Sequence, residues 1–196
     1  METLLVGPSI EILEADETSF ISEFILVNSK LTSKHLHIKV GRHSVLNPRV
    51  CFTLQIREHL NGTAVVSIGD YSIVSDYCQF EIISQHLLDP IVVGNYTIID
   101  PSAKIESGVQ VGDYCVIGSK AVLGHGSKVG DNCYVAAGTV LEAGMIVPEF
   151  SAVSESNATR ILPVGDDFDQ IHRKREMRLH IEFLMRTMPS YNKRRK

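Results

Sequence analysis

Length, composition and charge place this sequence among ordinary globular chains. It has 196 residues, of which 44% are hydrophobic and 21% charged, and its formal net charge is −4. No apolar run approaches the length of a membrane span, and the start lacks the basic, apolar pattern of a signal peptide, so we predict a cytoplasmic protein without membrane insertion. Nine Lys and Arg residues lie between His172 and Lys196, with Phe183 and Tyr191 as the only Phe, Trp or Tyr residues among them, which indicates docking to an acidic surface, with no nucleic-acid binding.

The first 39 residues are the least regular part of the chain. Apolar clusters at Ile10–Leu13 and Phe20–Val27 are separated by polar residues without a fixed period. We predict that residues 1–39 form an N-terminal cap and an irregular first coil, because the end of a solenoid must be covered.

A repeat of six residues begins at Val40 and is interrupted twice. Three hexads start at Val40 and three more at Ile68, and each set is followed by an irregular stretch. We place loops at 58–67 and 86–92. Since each interruption follows three hexads, both loops should leave the solenoid at one corner, where repeat proteins often carry partner-facing loops.

The most regular stretch, residues 93–152, divides into ten uninterrupted hexads. The fifth position of each is small or narrow, and the first position is aliphatic in all ten: Val93, Ile99, Ile105, Val111, Ile117, Leu123, Val129, Val135, Leu141 and Val147. A helix would need a period of 3.6 and an antiparallel strand a period of two, so neither fits. Gly, Asp, Asn, Ser and Pro crowd the other positions, as tight corners with unusual φ require.

A larger period of eighteen residues relates Val93, Val111 and Val129, each of which begins a Val-Gly-Asx motif. Three hexads therefore make one coil, and adjacent coils pair as parallel strands about 4.8 Å apart. This pattern resembles the left-handed parallel β-helix, and the resemblance supplies the handedness. We predict an all-β solenoid of this type over residues 40–158.

Four cysteines fit this arrangement. Cys78, Cys115 and Cys133 take fifth positions of hexads, and Cys51 lies near another corner. Cys115 and Cys133 are one coil apart in one column, close enough to bridge. We interpret all four as free thiols in a reducing compartment.

The last segment, residues 159–196, is predicted to hold a linker, a helix and a basic tail. Acidic residues from Asp166 to Asp169 suit a helix start, and Pro189 ends the run. Between them an apolar stripe has helical spacing: Met177, Ile181, Leu184, Met185 and Met188. We expect this α-helix to lie on a face of the prism, and the alternative is an exposed helix that recognises a partner groove.

Three enzymatic activities are known for the left-handed β-helix. Leu123-Gly124-His125-Gly126 resembles a zinc-ligand stretch of γ-class carbonic anhydrases, but the position of the next ligand holds Gly130, so no metal site is predicted. An acyltransferase needs one histidine as general base, either His125 or His86. His125 shares its hexad position with Asn95, Asp113 and Asp131, which favours a polar corner residue. A nucleotidyltransferase would require an additional domain for which 39 residues are too few.

The C-terminal part of the sequence carries the most specific resemblance. The run from Leu179 to Tyr191 follows the pattern L-x-x-x-FLM-x-x-x-P-x-Y, Val147-Pro148-Glu149 precedes it, and a motif from Val40 to Pro48 lies near the start. These motifs are similar to those of the dynactin subunit 6 family over roughly residues 20–191. The segment before residue 20 and the basic tail have no counterpart in that family.

This resemblance implies a non-enzymatic adaptor subunit in the pointed-end part of dynactin, supporting dynein-driven transport and cargo docking at microtubules and centrosomes. The implied partners are dynactin subunit 5, which is a second β-helix protein, the pointed-end actin-related protein and the large zinc-binding dynactin subunit, with dynein and cargo adaptors bound indirectly. No catalytic residue, metal or cofactor is expected. The alternative is an acyltransferase or a homotrimer like the γ-carbonic anhydrases. Candidate partner-binding residues lie on the helix, after it and in both loops: Phe183, Leu184, Met188, Tyr191, His59, Leu60, Leu87 and Leu88.

Overall fold

A computed structural model describes residues 4–5, 13–22, 25–29, 37–56, 64–84, 89–154, 159–161 and 167–187. They form a three-sided parallel β-helix, in which each coil contributes one short strand to each of three sheets. Sheet A contains β1 (Leu4–Leu5), β4 (Leu26–Ser29), β7 (Cys51–Ile56), β10 (Gln79–Ser84), β13 (Lys104–Glu106), β16 (Val122–Leu123) and β19 (Val140–Leu141). Sheet B contains β2 (Leu13–Ala15), β5 (His37–Val40), β8 (Ala64–Ile68), β11 (Ile91–Val93), β14 (Gln110–Val111), β17 (Lys128–Val129) and β20 (Ile146–Val147).

Sheet C completes the prism and carries the helix. Its strands are β3 (Phe20–Ile21), β6 (Val45–Leu46), β9 (Ile73–Val74), β12 (Ile98–Ile99), β15 (Val116–Ile117), β18 (Tyr134–Val135), β21 (Ser151–Val153) and β22 (Thr159–Ile161). The helix α1 spans Asp167–Thr187. Two pairings are antiparallel among the described strands, β1 with β4 and β21 with β22, and they lie at the two ends of the solenoid.

The register confirms the prediction of three hexads per coil. Ile98 pairs with Val116, and Val116 pairs with Tyr134, so residues eighteen apart stack in parallel. All ten aliphatic first positions between Val93 and Val147 are buried. Cys78, Cys115 and Cys133 are free thiols, as predicted.

The strands next to the loops are longer than the repeat indicates. β7 and β10 pair over six residues, from Cys51 to Ile56 and from Gln79 to Ser84. β8 begins at Ala64 and β11 at Ile91, so the placement of 64–67 and of 91–92 in loops is wrong. In β8 and β11 the parallel pairing also includes residues that precede the aliphatic first position of the hexad, which is Ile68 in β8 and Val93 in β11. Both loops do run from sheet A to sheet B, which confirms the single shared corner.

The small fifth positions after the corner between sheets B and C form a hydroxyl and thiol ladder. Each side chain donates a hydrogen bond to a carbonyl of the following coil: Ser44 to Gly69 (2.6 Å), Ser72 to Gly94 (2.8 Å), Thr97 to Gly112 (2.9 Å), Cys115 to Gly130 (3.0 Å) and Cys133 to Pro148 (2.9 Å). Thr97 Oγ1 also accepts from the backbone N of Cys115 at 3.2 Å. A narrow interior alone would accept alanine at these positions, so the ladder explains why hydroxyls and thiols occur there.

Replacing Thr97 by valine should destabilise the protein by about 2 kcal/mol, because two buried backbone groups lose their partner while the shape of the side chain is kept. Thr139→Val is the matched control. Thr139 is equally buried and takes the same hexad position, but within the described residues its Oγ1 has no hydrogen-bond partner. Chemical denaturation of both variants should show a loss for Thr97→Val and no loss for Thr139→Val. Equal losses would contradict the ladder.

α1 packs on the outer face of sheet C, as predicted. Ile181 is 3% exposed and contacts Phe20, Val45 and Ile73, three residues that stack along that face. Met177, Leu184 and Met185 pack around this contact. Lys174 and Arg178 lie over the rings of tyrosines at the edge of the sheet, at 5.2 to 5.7 Å from the ring centroids. In the described part of the chain, no helix combines the length and apolar character that crossing a membrane requires.

Candidate functional site

The corner between sheets A and B, here called the A/B corner, holds His125. The turns of successive coils stack there through backbone hydrogen bonds, from Gly126 N to Ser107 O (2.9 Å) and from Gly144 N to His125 O (2.8 Å). His125 is therefore flanked by Ser107 above and by the following coil below. Both loops leave the solenoid at this same corner.

This placement corrects the interpretation of His125 as the equivalent of Asn95, Asp113 and Asp131. Those three residues stack at the corner between sheets B and C, where each Asx side chain accepts from a backbone N of the preceding coil. The error arose because a hexad position recurs at all three corners, whereas only residues eighteen apart belong to one column. The polar ladder at the other corner therefore does not explain His125.

Asp89 faces the imidazole of His125. The Nε2 atom of His125 lies 3.8 Å from Oδ2 of Asp89, and the two side chains are 56% and 43% exposed. Asp89 lies near the end of the second loop, and its carbonyl accepts from the backbone N of Gly108 at 2.9 Å. The loop thus ends against the corner in a position that directs a carboxylate towards the histidine.

Glu106 holds the backbone of His125 in place. Its Oε2 accepts from the backbone N of His125 at 3.1 Å, and its Oε1 lies 3.2 Å from Nζ of Lys104. Lys104 also contacts Glu81 at 2.9 Å. The hydrogen bond to Glu81 is the main cause of the raised pKa of Lys104, and Glu106 adds to it. The ammonium group therefore stays charged and keeps the Glu106 carboxylate beside the turn.

Ser107 anchors the strand that leads into the second loop. Its Oγ accepts from the backbone N of Ile83 at 2.9 Å and donates to the carbonyl of Glu81 at 3.2 Å. At 4% exposure it is buried beneath the turn. This serine supports the corner and is not placed as a nucleophile.

The two predicted partner-binding residues that the structure describes, Phe183 and Leu184, lie away from this corner. Phe183 is 63% exposed on α1, and Leu184 is half-buried against sheet C, the face opposite the A/B corner. The other six candidates, and also His86, lie outside the described residues: Met188, Tyr191, His59, Leu60, Leu87 and Leu88. Three residues of this corner were not predicted from the sequence: Asp89, Glu106 and Ser107. Of these, only Glu106 and Ser107 lie in the regular repeat, where counting eighteen residues assigns them to a column.

The side chains of the described residues do not gather into a metal site. Nowhere in those ranges do three His, Cys, Asp or Glu side chains cluster as metal ligands would. Among the described residues, the corner instead holds the exposed imidazole of His125 beside the carboxylate of Asp89. Such a pair can accept a proton and stabilise the resulting imidazolium.

The comparisons with known proteins bear on both the repeat and the fold. The family described as bacterial transferase hexapeptide (six repeats) matches residues 90–125, a stretch that starts at the second loop and ends at His125. The sequence matches no curated protein. A Bacillus cereus protein assigned as an acetyltransferase has a TM-score of 0.65 at 14% identity, with 87% of this chain and 88% of that chain covered.

Two further structures share the fold. A hexapeptide transferase family protein from Anaplasma phagocytophilum has a TM-score of 0.53 at 15% identity, covering 90% of this chain and 93% of its own. A UDP-N-acetylglucosamine acyltransferase has a TM-score of 0.50 at 16% identity, covering 94% and 80%. At these identities the likeness establishes the fold, so the chain is a left-handed parallel β-helix of hexapeptide repeats with a C-terminal helix.

These findings overturn the prediction of a non-enzymatic dynactin subunit. The family model over residues 90–125 and the three structures named above are described as transferases, which favours the alternative of an acyltransferase. A physical reason for the error is the assignment of His125 to the wrong corner, which favoured a polar corner residue over a general base. The implied dynactin partners and the cytoskeletal location are tested by none of these observations and stay predictions.

Proposed function

We propose that this protein is a hexapeptide-repeat acyltransferase in which His125 is the general base. The observation that carries the proposal is the His125–Asp89 pair at the A/B corner, 3.8 Å apart, at the corner from which both loops leave. An exposed histidine on a rigid turn, next to a carboxylate and beside a loop, is suited to accept a proton from a bound acceptor. The fold shared with acetyl- and acyltransferases supports the same reaction class.

The proposed reaction moves an acyl group from a thioester, such as acyl-coenzyme A, to a hydroxyl or amine. Nε2 of His125 faces Asp89, so Nδ1 remains for the acceptor. The acceptor loses its proton to Nδ1 while its oxygen or nitrogen bonds to the thioester carbonyl carbon. The tetrahedral adduct collapses, the carbon–sulfur bond breaks, and the departing thiolate takes the proton from the imidazolium.

The carboxylates have different roles in this scheme. Asp89 stabilises the imidazolium that forms during the attack, as a carboxylate beside a catalytic histidine does. Glu106 does not reach the ring in this geometry but fixes the turn through the backbone N of His125. The base is thus held by two neighbouring elements, the preceding coil and the end of the loop.

The surface below His125 leaves room for a substrate. Gly126 and Gly144 both adopt left-handed φ, at +67° and +71°, and no described atom lies within 4 Å of the place where a Cβ would stand. The corner is therefore open on the side of the following coils, while Asp89 lies on the side of the preceding coil. An acceptor can reach Nδ1 across this glycine-lined surface.

An acyl-transfer assay tests the proposal. The full chain is incubated with acetyl-coenzyme A and a panel of small alcohols, amines and amino sugars, and thiol release is followed together with the mass of each acceptor. We expect acceptor-dependent thiol release and an acceptor heavier by one acetyl group. If no acceptor is acylated and calorimetry detects no binding of acetyl-coenzyme A, the proposal is wrong.

A further inference from the structure

The solvent face of α1 carries an apolar pair that nothing in the described structure covers. Leu179 and Phe183 are 57% and 63% exposed, whereas Ile181, on the side that faces sheet C, is 3% exposed. Residues three and four apart share one face of a helix, so Glu176 and Arg186 lie in line with this pair. We call these four residues, Glu176, Leu179, Phe183 and Arg186, the outer stripe.

The order of residues in the outer stripe is self-complementary. Glu176 precedes Leu179 by three residues, and Arg186 follows Phe183 by three. If two copies of α1 pack antiparallel with Leu179 of each copy against Phe183 of the other, Glu176 of each copy faces Arg186 of the other. A parallel pair would instead place Glu176 against Glu176, which is repulsive.

The charged ends of the stripe are available for such a contact. The side chain of Arg186 is 81% exposed, and its closest carboxylate, that of Glu182 on the same helix, is 3.9 Å away. An exposed pair at that distance contributes little and is easily exchanged. The spacing of three, four and three residues also matches the seam along which two helices pack.

A groove beside the outer stripe extends the apolar surface. It lies between α1 and sheet C, has a volume of about 330 Å³ and is lined by Ile98, Val116 and Tyr134, with Glu176 at its edge. Ile98, Val116 and Tyr134 belong to a column on the outer face of sheet C. In the N-terminal coils this column consists of Phe20, Val45 and Ile73, which α1 covers. The groove thus continues an apolar interface that the fold already uses.

We propose that the outer stripe is the interface through which two copies of this chain associate, with their α1 helices antiparallel. A C2 arrangement uses the same patch on both copies, and each copy here supplies both the apolar pair and the opposite charges that such a patch needs. The interface lies on the face opposite the A/B corner, so association leaves His125 accessible and is independent of the proposed acyl transfer.

Light scattering coupled to gel filtration, on the full chain over a wide concentration range, tests the association. Phe183→Asp should halve the mass observed for the wild type at the same concentration. Ile171→Asp is the matched control, because Ile171 is also 63% exposed on α1 but lies about 100° around the helix from the stripe. A wild type with the mass of Phe183→Asp at every concentration, or an equal loss with Ile171→Asp, would overturn the proposal.

A charge exchange tests the antiparallel orientation. Glu176→Arg and Arg186→Glu should each weaken the association about tenfold, because both interfacial ion pairs become repulsive. The double variant Glu176→Arg/Arg186→Glu should restore the association, since the charges again oppose each other across the interface. Failure of the double variant to recover would refute the antiparallel contact. Acyl transfer by all these variants should equal that of the wild type, which separates this result from the test of His125.

Discussion

His125→Ala is expected to lower kcat for acyl transfer by about 10²- to 10⁴-fold, the contribution typical of a positioned general base. The acceptor then has to lose its proton to water, and the departing thiolate has no imidazolium to protonate it. The fold should not suffer, because the His125 side chain is 56% exposed and its backbone contacts with Glu106 and the following turn remain. Steady-state kinetics with the best acceptor and a thermal unfolding curve measure the two effects separately.

Two further variants show whether the loss comes from the site. His180→Ala removes another exposed histidine, on α1, and should leave kcat unchanged. Asp89→Asn removes the charge that faces Nε2 and should reduce kcat by about fivefold, since the pair is exposed and screened by solvent. An active His125→Ala variant, or an equal loss with His180→Ala, would show that His125 is not the base.

The fold could be predicted because a single repeat period specifies it. Val93, Val111 and Val129 are eighteen residues apart, and that spacing alone predicts the coil and the parallel register that the strands adopt. The position of the helix on sheet C also follows from a local pattern, since Ile181 and its neighbours share one side. In both cases the information lies in residues that repeat along the chain.

The site was harder to predict because one of its members lies outside the repeat. Asp89 lies in an irregular loop, so no period assigns it a column, and only the hydrogen bond from Gly108 N to its carbonyl places it beside His125. The resemblance to the dynactin subunit 6 family rests largely on the run from Leu179 to Tyr191, which belongs to the helix on the opposite face. It therefore carries no information about the chemistry of the A/B corner.

The glycines illustrate a second limit of the sequence. The need for unusual φ at tight corners predicts glycine there, yet at the corner between sheets B and C the left-handed positions are filled by larger residues: His43, Tyr71, Tyr96, Tyr114, Asn132 and Phe150. The glycine column next to that corner, from Gly41 to Gly130, has no left-handed φ. The repeat shows at which positions glycine recurs. The reason that glycine is needed at these positions is the short distance between neighbouring coils.

That distance predicts the effect of Gly94→Ala, which should destabilise the protein by about 3 kcal/mol. A Cβ on Gly94 would stand 2.5 Å from both the carbonyl carbon and the carbonyl oxygen of Gly112 in the following coil. Both atoms belong to the backbone, so the coils must separate and their strand hydrogen bonds must lengthen. Pro148 takes this column position in the last coil of the solenoid, where no described coil follows, which agrees with crowding as the cause.

Gly144→Ala separates crowding from backbone strain. Gly144 has a left-handed φ of +71° but no described atom within 4 Å of the Cβ position, so the variant should lose only about 1 kcal/mol of conformational energy. Chemical denaturation should therefore rank Gly94→Ala well below Gly144→Ala in stability, with both below the wild type. The opposite ranking would mean that the glycine column is needed for its backbone conformation and that the spacing between coils tolerates a methyl group.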